Sequence, residues 1–592
     1  MMRFFRFWQR HVRDFIPLGA GLSILMAMLV IIARAYLAPG YQIGHDRAVP
    51  YMRVVAIQDA VNDGQFPPRW FPEFDGGYGS PYPSFYGMLF YQAAALLDAC
   101  CVSLGQSVEL AAFLTMAGSG LGMFFLARHL WGTPSGLLCA GLYVYAPYHL
   151  VDAFVRGAYS ELAAFVWFPL IVLFVIRWME STNLFWLLAG SCSLAGLVLT
   201  HNIMPLIFIP TVPILGAALL GRETNGPGRR RILSGWVMMA ALGSLLSAFF
   251  WVPIVADRQL IRTDYFLQVQ YQDEFVGLGQ LLTTSIEHRL TPELGIPLVI
   301  AASCGALAAS ISNRAGQKKR LIASSGLLSL GFIFMMNHRS EFLWSNVSLL
   351  PFIQLPWRLL APTAFFLSLM AGPVPAAFSS KWRQWGLAIA FPVLALQLHE
   401  PLVDMPQRID AQDIERIETC QEVWGTQDYR PRWSDATFWR STKAPEPSEE
   451  IPVLAPCVGT VRVLPEDSGR ILASSSDGST LTVRYQAIVP AQLEFPQYYY
   501  PSWIVRIDGE SSETAPASGT GLLQVRIPAG KHEVSATMRY TGAQIAGLIF
   551  SGIGCTLAIV ASAKVVFDRI SSVRGPGKAA PSAERDERSV SA

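Results

Sequence analysis

A polar stretch between the first two hydrophobic segments of the chain carries residue types that could do chemistry. It holds, in order, Gly44-His45-Asp46-Arg47, Gln58-Asp59, Phe66-Pro67-Pro68-Arg69-Trp70 and Gly76-Gly77-Tyr78-Gly79-Ser80-Pro81. An acid near the start of a loop, with aromatic residues and glycines near its end, suits a polar substrate that is carried on a lipid when the loop lies against a membrane face. We therefore expect the functional site in this loop.

The composition is that of a polytopic α-helical membrane protein. Apolar residues make up 52% of the 592 positions and charged residues 15%, and the apolar residues are gathered into blocks long enough to cross a bilayer. The net charge of +2 gives no reason to expect a nucleic-acid partner. Nothing in the sequence resembles a Walker motif, a zinc ligand set or a dinucleotide-binding fingerprint. ATP-driven transport is therefore disfavoured.

The first apolar block, 15–37, predicts a retained membrane span with a cytoplasmic N-terminus. The block is too long for a signal peptide and lacks a small-residue cleavage site, and four arginines precede it. Because lysine and arginine collect on the cytoplasmic side of membrane proteins, the later basic clusters should also be cytoplasmic. These clusters are Arg222 with Arg229-Arg230-Arg231, Arg314 with Lys318-Lys319-Arg320, Lys381 with Arg383, and Lys564 with Arg569 and Arg574.

The hydropathy pattern predicts about twelve spans with both termini inside. One further apolar piece, 85–104, would reverse the side of every later basic cluster if it crossed the membrane. We therefore predict that it is re-entrant or lies along the outer face; if it does span, a second such segment must compensate. Besides the first block, the candidate spans are 108–127, 134–150, 162–178, 183–200, 203–221, 232–255, 294–312, 320–337, 359–378, 384–399 and 542–563.

This topology brings the unusual polar residues to the outer side of the membrane. Ionisable groups at membrane ends are costly unless they are paired or hydrated, so several of them on one face indicate a functional site. The outer face receives the loop 38–84, the link Arg156-Gly157-Ala158-Tyr159-Ser160-Glu161, the turn Thr200-His201-Asn202, the loop 256–293 and the stretch Leu355-Pro356-Trp357-Arg358.

The region after residue 399 predicts a separate domain outside the membrane. Its second part alternates apolar and polar residues at 460–464, 481–485, 504–509 and 523–527, with turn signals between them, which favours a β-sandwich. The same region holds Cys420 and Cys457, which an oxidising compartment would allow to pair. The predicted domains are a transmembrane domain at 1–399 with a first outer loop at 38–84, an extracytoplasmic domain at 400–541, a final transmembrane helix at 542–563 and a disordered cytoplasmic tail at 564–592.

These motifs carry a family resemblance. The loop motifs, the Arg156–Glu161 block, Thr200-His201-Asn202 and Pro356-Trp357-Arg358 resemble the bacterial membrane family labelled "6-pyruvoyl-tetrahydropterin synthase related". That family resembles the membrane glycosyltransferases of the C fold (GT-C), which take a sugar from a polyprenyl-phosphate donor. The tract Tyr498-Tyr499-Tyr500-Pro501-Ser502-Trp503 is similar to the outer β-domain of large GT-C proteins, in which a glycine commonly stands at the Ser502 position.

The resemblance implies a GT-C-like enzyme of the bacterial inner membrane with its active face outside. The implied partners are membrane lipid, a polyprenyl-phosphate sugar donor, and a glycan, lipid or protein acceptor. The early acid of the first outer loop, which GT-C proteins use as the general base, is Asp46, and Glu161 is a candidate second acid. The candidates for binding the donor phosphate are Arg358, Arg156, His201 and Arg289.

Metal dependence is left open by the resemblance. The family often carries a second acid close to the first, whereas Arg47 follows Asp46 in this chain. This difference weakens a mechanism in which a divalent cation bridges two acids. No metal site is predicted from the residues themselves, and a divalent cation stays an alternative.

Eight further residues are predicted to bind substrate. Simpler alternatives stand beside these roles: an interfacial aromatic belt, an ion-paired Asp46, an Arg156–Glu161 pair, a packing His201, and an Arg358 that reaches ordinary headgroups. The substrate-binding candidates are His45, Arg69, Trp70, Tyr78, Tyr82, Tyr159, Asn202 and Trp357.

Two functions of different classes remain for the sequence. The first is a glycosyltransferase that uses a polyprenyl-phosphate sugar. The second is a transporter or scaffold in cell-surface polysaccharide assembly that keeps the fold without turnover. The missing adjacent acid favours the second, whereas the gathering of polar residues on one face, rather than along a path through the bilayer, favours the enzyme.

Overall fold

Long apolar helices dominate the structure. The computed structural model describes residues 2–46, 48–100, 102–220, 227–263, 271–282, 292–312, 316–403, 407–418, 429–434, 460–476 and 479–573. Within these ranges six helices are long and apolar enough to cross a membrane, so the chain is a multi-pass membrane protein. They are Ile16–Leu37, Leu104–Trp131, Tyr159–Ser181, Pro356–Ala376, Lys381–Val403 and Gly542–Ile570.

Other apolar segments are bent or short. Three pairs of helices in the described ranges meet at a break of no more than four residues, and each pair is apolar enough to form one broken span. The predicted count of about twelve crossings therefore stays a prediction, although the predicted spans all coincide with helical segments. The bent pairs are Thr133–Val144 with Pro147–Arg156 (54°), Gly228–Leu246 with Ala248–Ala256 (77°) and Gly316–Met335 with His338–Asn346 (91°), and the short apolar helices are Leu184–Thr200, Met204–Leu219 and Ile296–Ile311.

The apolar piece at 85–104 does not form a continuous helix. It contains the helix Leu89–Ala99, and the next helix begins at Leu104. At 1.5 Å per residue, eleven residues reach about 16 Å, roughly half of the hydrocarbon thickness of a bilayer. This helix alone is too short to cross, in agreement with a re-entrant or surface position.

Shorter helices complete the loops on the side of the predicted outer face. The longest is Val49–Asn62, in the first outer loop. The others in the loops and links are Phe74–Gly77, Tyr82–Ser84, Arg258–Leu260, Tyr271–Glu274, Leu278–Leu282, Leu350–Ile353, Pro356–Leu359 and Ala411–Glu418.

Two antiparallel sheets lie between residues 462 and 538 and share one hydrophobic core. Val483 of the five-stranded sheet and Leu493 of the four-stranded sheet are both fully buried in this core, so the region is a β-sandwich, as predicted. The four-stranded sheet has the order Arg462–Leu464, Ala491–Tyr498, Leu522–Ile527, Thr514–Pro516, and the five-stranded sheet has the order Gly469–Ser476, Thr480–Ala487, Gly530–Met538, Trp503–Ile507, Glu510–Ser512.

A small two-stranded sheet fixes the start of the first outer loop. Strand Tyr41–Ile43 pairs with Gln407–Ile409, which follows the helix Lys381–Val403. Arg408 donates hydrogen bonds to carbonyl groups at the C-terminal end of the first helix, including that of Ala35 at 2.7 Å, and to the Glu109 carboxylate at 3.1 Å. These contacts hold the chain that leads to Asp46. The domain boundary at 399/400 stays a prediction.

Candidate active site

The backbone of the first outer loop is held against the link before the helix Tyr159–Ser181. The amide of His45 donates to the Val155 carbonyl, and the amide of Asp46 donates to the Arg156 carbonyl, both at 3.0 Å. Gly44 lies so close to this link that a Cβ atom there would come within 2.4 Å of the Arg156 backbone. Only glycine permits this approach, which brings Asp46 beside Arg156.

A turn of π-helix shapes the link itself. Pro147–Leu150 begins the second half of the broken span, and Val151–Arg156 continues it with the wider π geometry until Gly157, whose φ of +69° ends the turn. Such turns occur often at functional sites because they re-aim side chains. Here Asp152 and Arg156 both face the start of the next helix.

Glu161 is the centre of a buried ionic cluster. Its side chain is 1% exposed and accepts a hydrogen bond from Arg156 Nη1 at 3.0 Å, and Arg358 Nε lies 3.4 Å from the same carboxylate oxygen. The Tyr148 hydroxyl donates to the other oxygen, and Arg156 also bonds to the buried Asp152. Three chain segments therefore meet at one carboxylate.

A strained loop orients Arg358. Pro356–Leu359 forms one turn of 3-10 helix at the start of a span, and Arg358 Nη1 donates to the Ile353 carbonyl at 2.9 Å and to Gln354 Oε1 at 3.0 Å. Gln354 has a φ of +64°, a conformation that costs roughly 1–3 kcal/mol for a residue other than glycine. This conformation places the Ile353 carbonyl and the Gln354 side chain where both accept hydrogen bonds from Arg358.

Trp357 covers the arginine cluster from the neighbouring position. The Arg156 guanidinium carbon lies 4.8 Å from the centre of the Trp357 ring, and the Tyr148 ring meets the indole edge-on at 6.0 Å. The indole nitrogen donates to Glu274 at 2.9 Å. Trp357 therefore packs on a cation, which leaves its predicted role in substrate binding as a proposal.

Arg53 is a third arginine near Asp46 that the sequence analysis did not identify. It lies on the helix Val49–Asn62, is 6% exposed, and has its guanidinium carbon 5.1, 4.6 and 5.0 Å from the ring centres of Tyr82, Tyr86 and Tyr91. Its Nη1 donates to the Tyr91 hydroxyl at 2.6 Å. An arginine surrounded by tyrosines keeps its full charge while it is removed from water.

Asp46 is exposed to solvent even though the surrounding protein is dense. Burial raises the pKa of this carboxyl, and the nearby cations Arg53, Arg156 and Arg358 oppose the rise, whereas Glu161 adds to it. The carboxylate lies in an open recess, where solvent reaches it but protein replaces much of its hydration. The group can meet a substrate and still retains basic character.

His201 lies near the charged residues of the cluster but is itself neutral. Its Nδ1 accepts the amides of Ile203 at 3.0 Å and Met204 at 3.2 Å, so the ring carries its proton on Nε2. Burial lowers the pKa of His201 to about 3, against an opposing influence from Glu161. A neutral imidazole can donate one hydrogen bond to a phosphate but supplies no charge.

The hydrogen bonds of Asn202 give this residue a structural role. Its side-chain oxygen accepts the Gly87 amide at 2.9 Å, and its nitrogen donates to the Phe85 carbonyl at 2.5 Å and to the Tyr429 hydroxyl at 2.9 Å. With these three bonds the side chain ties the turn after Thr200 to the segment at Phe85. The predicted role in binding substrate is not needed to account for it.

The distal half of the first outer loop faces the β-sandwich instead of the ionic cluster. Trp70 is 1% exposed in the sandwich core, and Tyr78 packs on Tyr498 with ring centres 5.7 Å apart. The Arg69 guanidinium stacks on Tyr540 at 4.1 Å. We predicted all three loop residues as substrate contacts, but the structure places them at the seam between loop and sandwich. Trp70 and Tyr78 lie there because large aromatic side chains gain from burial in a core, and Arg69 because its guanidinium stacks on Tyr540 and donates to the Met538 carbonyl.

The remaining predicted residues have mixed positions. Tyr82 and Tyr159 are fully buried in the helical core and have no contact with solvent. His45 is exposed. Three predicted residues lie outside the described part of the chain: Arg289, Cys420 and Cys457.

The acidic residues at the site do not form an open set of metal ligands. Among the residues that the structure describes, no group of three or more His, Cys, Asp or Glu side chains is placed to hold a metal ion. Asp152 and Glu161 are each engaged by Arg156, and an arginine competes directly with a cation for those oxygens. A cation bridging Asp152 and Glu161 therefore does not fit.

Among the solved structures that resemble this chain, two cover about two thirds of its length. Against ArnT from Cupriavidus metallidurans bound to undecaprenyl phosphate, the TM-score is 0.42 at 12% identity, covering 63% of this chain and 62% of ArnT. Against the mycobacterial arabinofuranosyltransferase AftD, the TM-score is 0.41 at 16% identity, covering 66% of this chain and 28% of AftD. Likenesses this weak establish neither fold nor activity by themselves. No family model and no curated protein matches the chain, so the "6-pyruvoyl-tetrahydropterin synthase related" label is not supported.

Proposed function

We propose that the protein is a GT-C-type glycosyltransferase of the bacterial inner membrane that moves a sugar from a polyprenyl-phosphate donor to an extracytoplasmic glycan, lipid or protein. One observation carries the proposal: the solvent-accessible carboxylate of Asp46 is fixed by its own backbone beside Arg156, within the field of Arg53 and Arg358. A base next to several cations matches the needs of glycosyl transfer from a phosphate.

The arginines are placed to stabilise the leaving group. When the bond between the anomeric carbon and the phosphate oxygen breaks, negative charge grows on the departing polyprenyl phosphate. Arg358 and Arg156 are held in place before this step by Glu161 and by main-chain carbonyls, so their donors need not reorganise. Their fork-shaped guanidinium groups suit phosphate oxygens.

Asp46 and Glu161 differ in the role that we assign to them. An Asp46 carboxylate oxygen takes the proton of the acceptor hydroxyl, whose oxygen attacks the anomeric carbon as the phosphate leaves. Glu161 is buried and already bonded to Arg156 and Tyr148, so it acts as a positioning residue for the arginines rather than as the second catalytic acid that the sequence suggested.

Sugar transfer by the purified protein in lipid tests this function. A panel of radiolabelled polyprenyl-phosphate sugars is supplied together with membrane extract as the source of acceptor. We expect label from at least one donor to appear in acceptor material. Donor binding without any transfer, with native acceptor extract present, would favour the transporter or scaffold alternative.

Removing the phosphate contact should weaken the binding of the donor. For Arg358→Ala we expect a tenfold to hundredfold loss of affinity for the polyprenyl-phosphate donor, because one charge-assisted hydrogen bond to a phosphate contributes about 1.5–3 kcal/mol. The dissociation constant of the donor, determined in detergent or nanodiscs, measures this loss of affinity. Arg339→Ala, which changes an exposed arginine in the preceding link, is the matched control. Equal donor affinity in Arg358→Ala and the wild type would contradict the assignment.

The close approach at Gly44 should be essential for turnover. A methyl group in Gly44→Ala would collide with the backbone of Arg156 and Gly157 and push Asp46 away from the arginines. We expect the transfer rate to fall roughly a hundredfold, the effect of a displacement of about 1 Å at a reacting group. Gly19→Ala, at a helical glycine with open space around it, is the control. A Gly44→Ala protein with the wild-type rate would show that the close backbone contact between Gly44 and Arg156 does not position the base.

A further inference from the structure

A large crevice opens at the end of the helical bundle remote from Asp46. Its volume is about 850 Å³, within the range of roughly 300–1,000 Å³ that is usual for ligand sites. The walls are apolar and include Trp131, Leu307, Phe378 and Phe391, and Lys318 and Lys319 also line the crevice. Leu307 is 63% exposed, so the crevice is open along the side of the bundle.

The crevice and the ionic cluster lie at opposite ends of the same helix. The helix Leu104–Trp131 starts near Glu109, which holds the strand leading to Asp46, and ends at Trp131 in the crevice wall. At 1.5 Å per residue its 28 residues span about 42 Å, slightly more than the hydrocarbon core of a bilayer. The crevice therefore lies at the other membrane interface, on the side rich in lysine and arginine.

The two lysines are consecutive residues of the helix Gly316–Met335, and their ammonium groups bond to the ends of two other helices. Lys318 Nζ donates to the Leu130 carbonyl, at the end of one helix, and Lys319 Nζ donates to the Ser310 carbonyl at 3.0 Å, at the end of another. Neither ammonium has a carboxylate partner among the described residues. An ammonium has three donors, so each lysine retains hydrogen-bonding capacity for an anion in the crevice.

We propose that this crevice binds an anionic phospholipid of the inner leaflet, of the phosphatidylglycerol type. The two uncompensated cations select a headgroup with net negative charge, and the apolar walls take the acyl chains. Basic crevices between membrane helices at the cytoplasmic interface have the charge and shape for such lipids. The site does not depend on the sugar-transfer chemistry proposed for the other face.

Native mass spectrometry of the full-length protein tests the proposal. The protein is titrated with phosphatidylglycerol or with phosphatidylcholine of the same acyl chains. We expect the wild type to prefer phosphatidylglycerol by roughly twenty-fivefold. In Lys318→Gln/Lys319→Gln this preference should fall by roughly twenty-fivefold, because each lysine near an anionic lipid contributes about a factor of five.

Two controls separate this site from general effects of charge. Arg320→Gln/Lys381→Gln removes two positive charges from the same face without touching the crevice lining, and it should keep the wild-type preference. Ala308→Trp fills the apolar crevice and should lower the binding of both lipids. Glycerophosphoglycerol, which has the headgroup but no acyl chains, should not compete at the lipid concentrations used.

Several outcomes would overturn the proposal. A wild-type protein that binds both lipids equally has no anionic site here. Retention of the preference in the double lysine variant, with an unchanged melting temperature, would place the selectivity elsewhere. Effective competition by glycerophosphoglycerol would show that the lysines bind a soluble anion and that the apolar walls contribute nothing.

Discussion

Replacing Asp46 with asparagine should reduce the rate of sugar transfer by about a hundredfold to ten-thousandfold. The substitution keeps the size of the side chain and removes the group that accepts the proton of the acceptor hydroxyl, and a positioned base contributes about this factor. The hydrogen bond from the Asp46 amide to the Arg156 carbonyl uses main-chain atoms, so the substitution should leave it intact. Donor affinity should change little, because the arginines that face the phosphate are untouched. The measurement is transfer of label at saturating donor, with donor affinity determined separately.

A matched control and a pH profile sharpen this test. Asp59→Asn removes a half-buried acid from the same loop, and we expect it to retain the wild-type rate. Since the pKa of Asp46 is raised, its carboxyl stays protonated to a higher pH than an ordinary aspartic acid. The wild-type rate should therefore rise with pH through that raised pKa. Normal turnover by Asp46→Asn, or loss of activity in both variants, would contradict the base assignment.

The helices and strands were predictable because their signals are local. Blocks of apolar residues predict the membrane helices, and the alternation at 481–485 and 523–527 predicts strands that the structure contains. What the sequence does not contain is the way in which helices break. The bend of 54° after Val144 and the π-helical turn that follows depend on Pro147 and on the packing of Asp152 and Arg156, which no hydropathy window detects.

The site was predicted in part. Counting crossings from the basic clusters put Asp46, Arg156, Glu161, His201 and Arg358 on one face, and the structure does bring them together. The positive-inside rule could group these residues because it acts over the whole chain and does not need contacts, and the side of the membrane on which they lie stays a prediction.

Long-range contacts account for the residues that the sequence analysis missed or misplaced. Arg53 lies within an ordinary-looking helix, and only the fold reveals the tyrosines around it, which come from a segment some thirty residues later. The sequence alone does not distinguish Trp70 from a sugar-binding tryptophan. The structure does, because Trp70 donates a hydrogen bond to Gln497 and packs on Tyr500. For Asp152 a local signal did exist, because its spacing of four residues from Arg156 suits an ion pair on a helical turn.

The second large effect concerns the stability of the ionic cluster. Glu161→Gln removes the charge that balances Arg156 and Arg358 in a buried place, and breaking a buried ion pair from one side costs about 3–5 kcal/mol. We expect a clearly lower melting temperature than that of the wild type. Glu180→Gln, at an exposed acid that pairs with Arg177, should cost less than about 1 kcal/mol and serves as the control.

A double variant distinguishes an ion-pair effect from a general packing defect. In Glu161→Gln/Arg358→Gln the unbalanced charge of Arg358 is also removed, while Arg156 remains paired with Asp152. Residues in one network are not additive, so the double variant should be less destabilised than the sum of the two single variants, and its melting temperature should approach that of Arg358→Gln. Strict additivity would mean that Glu161 and Arg358 do not interact. In that case Glu161 could not position Arg358 for the phosphate, and the arginine would owe its orientation to the Ile353 carbonyl and Gln354 alone.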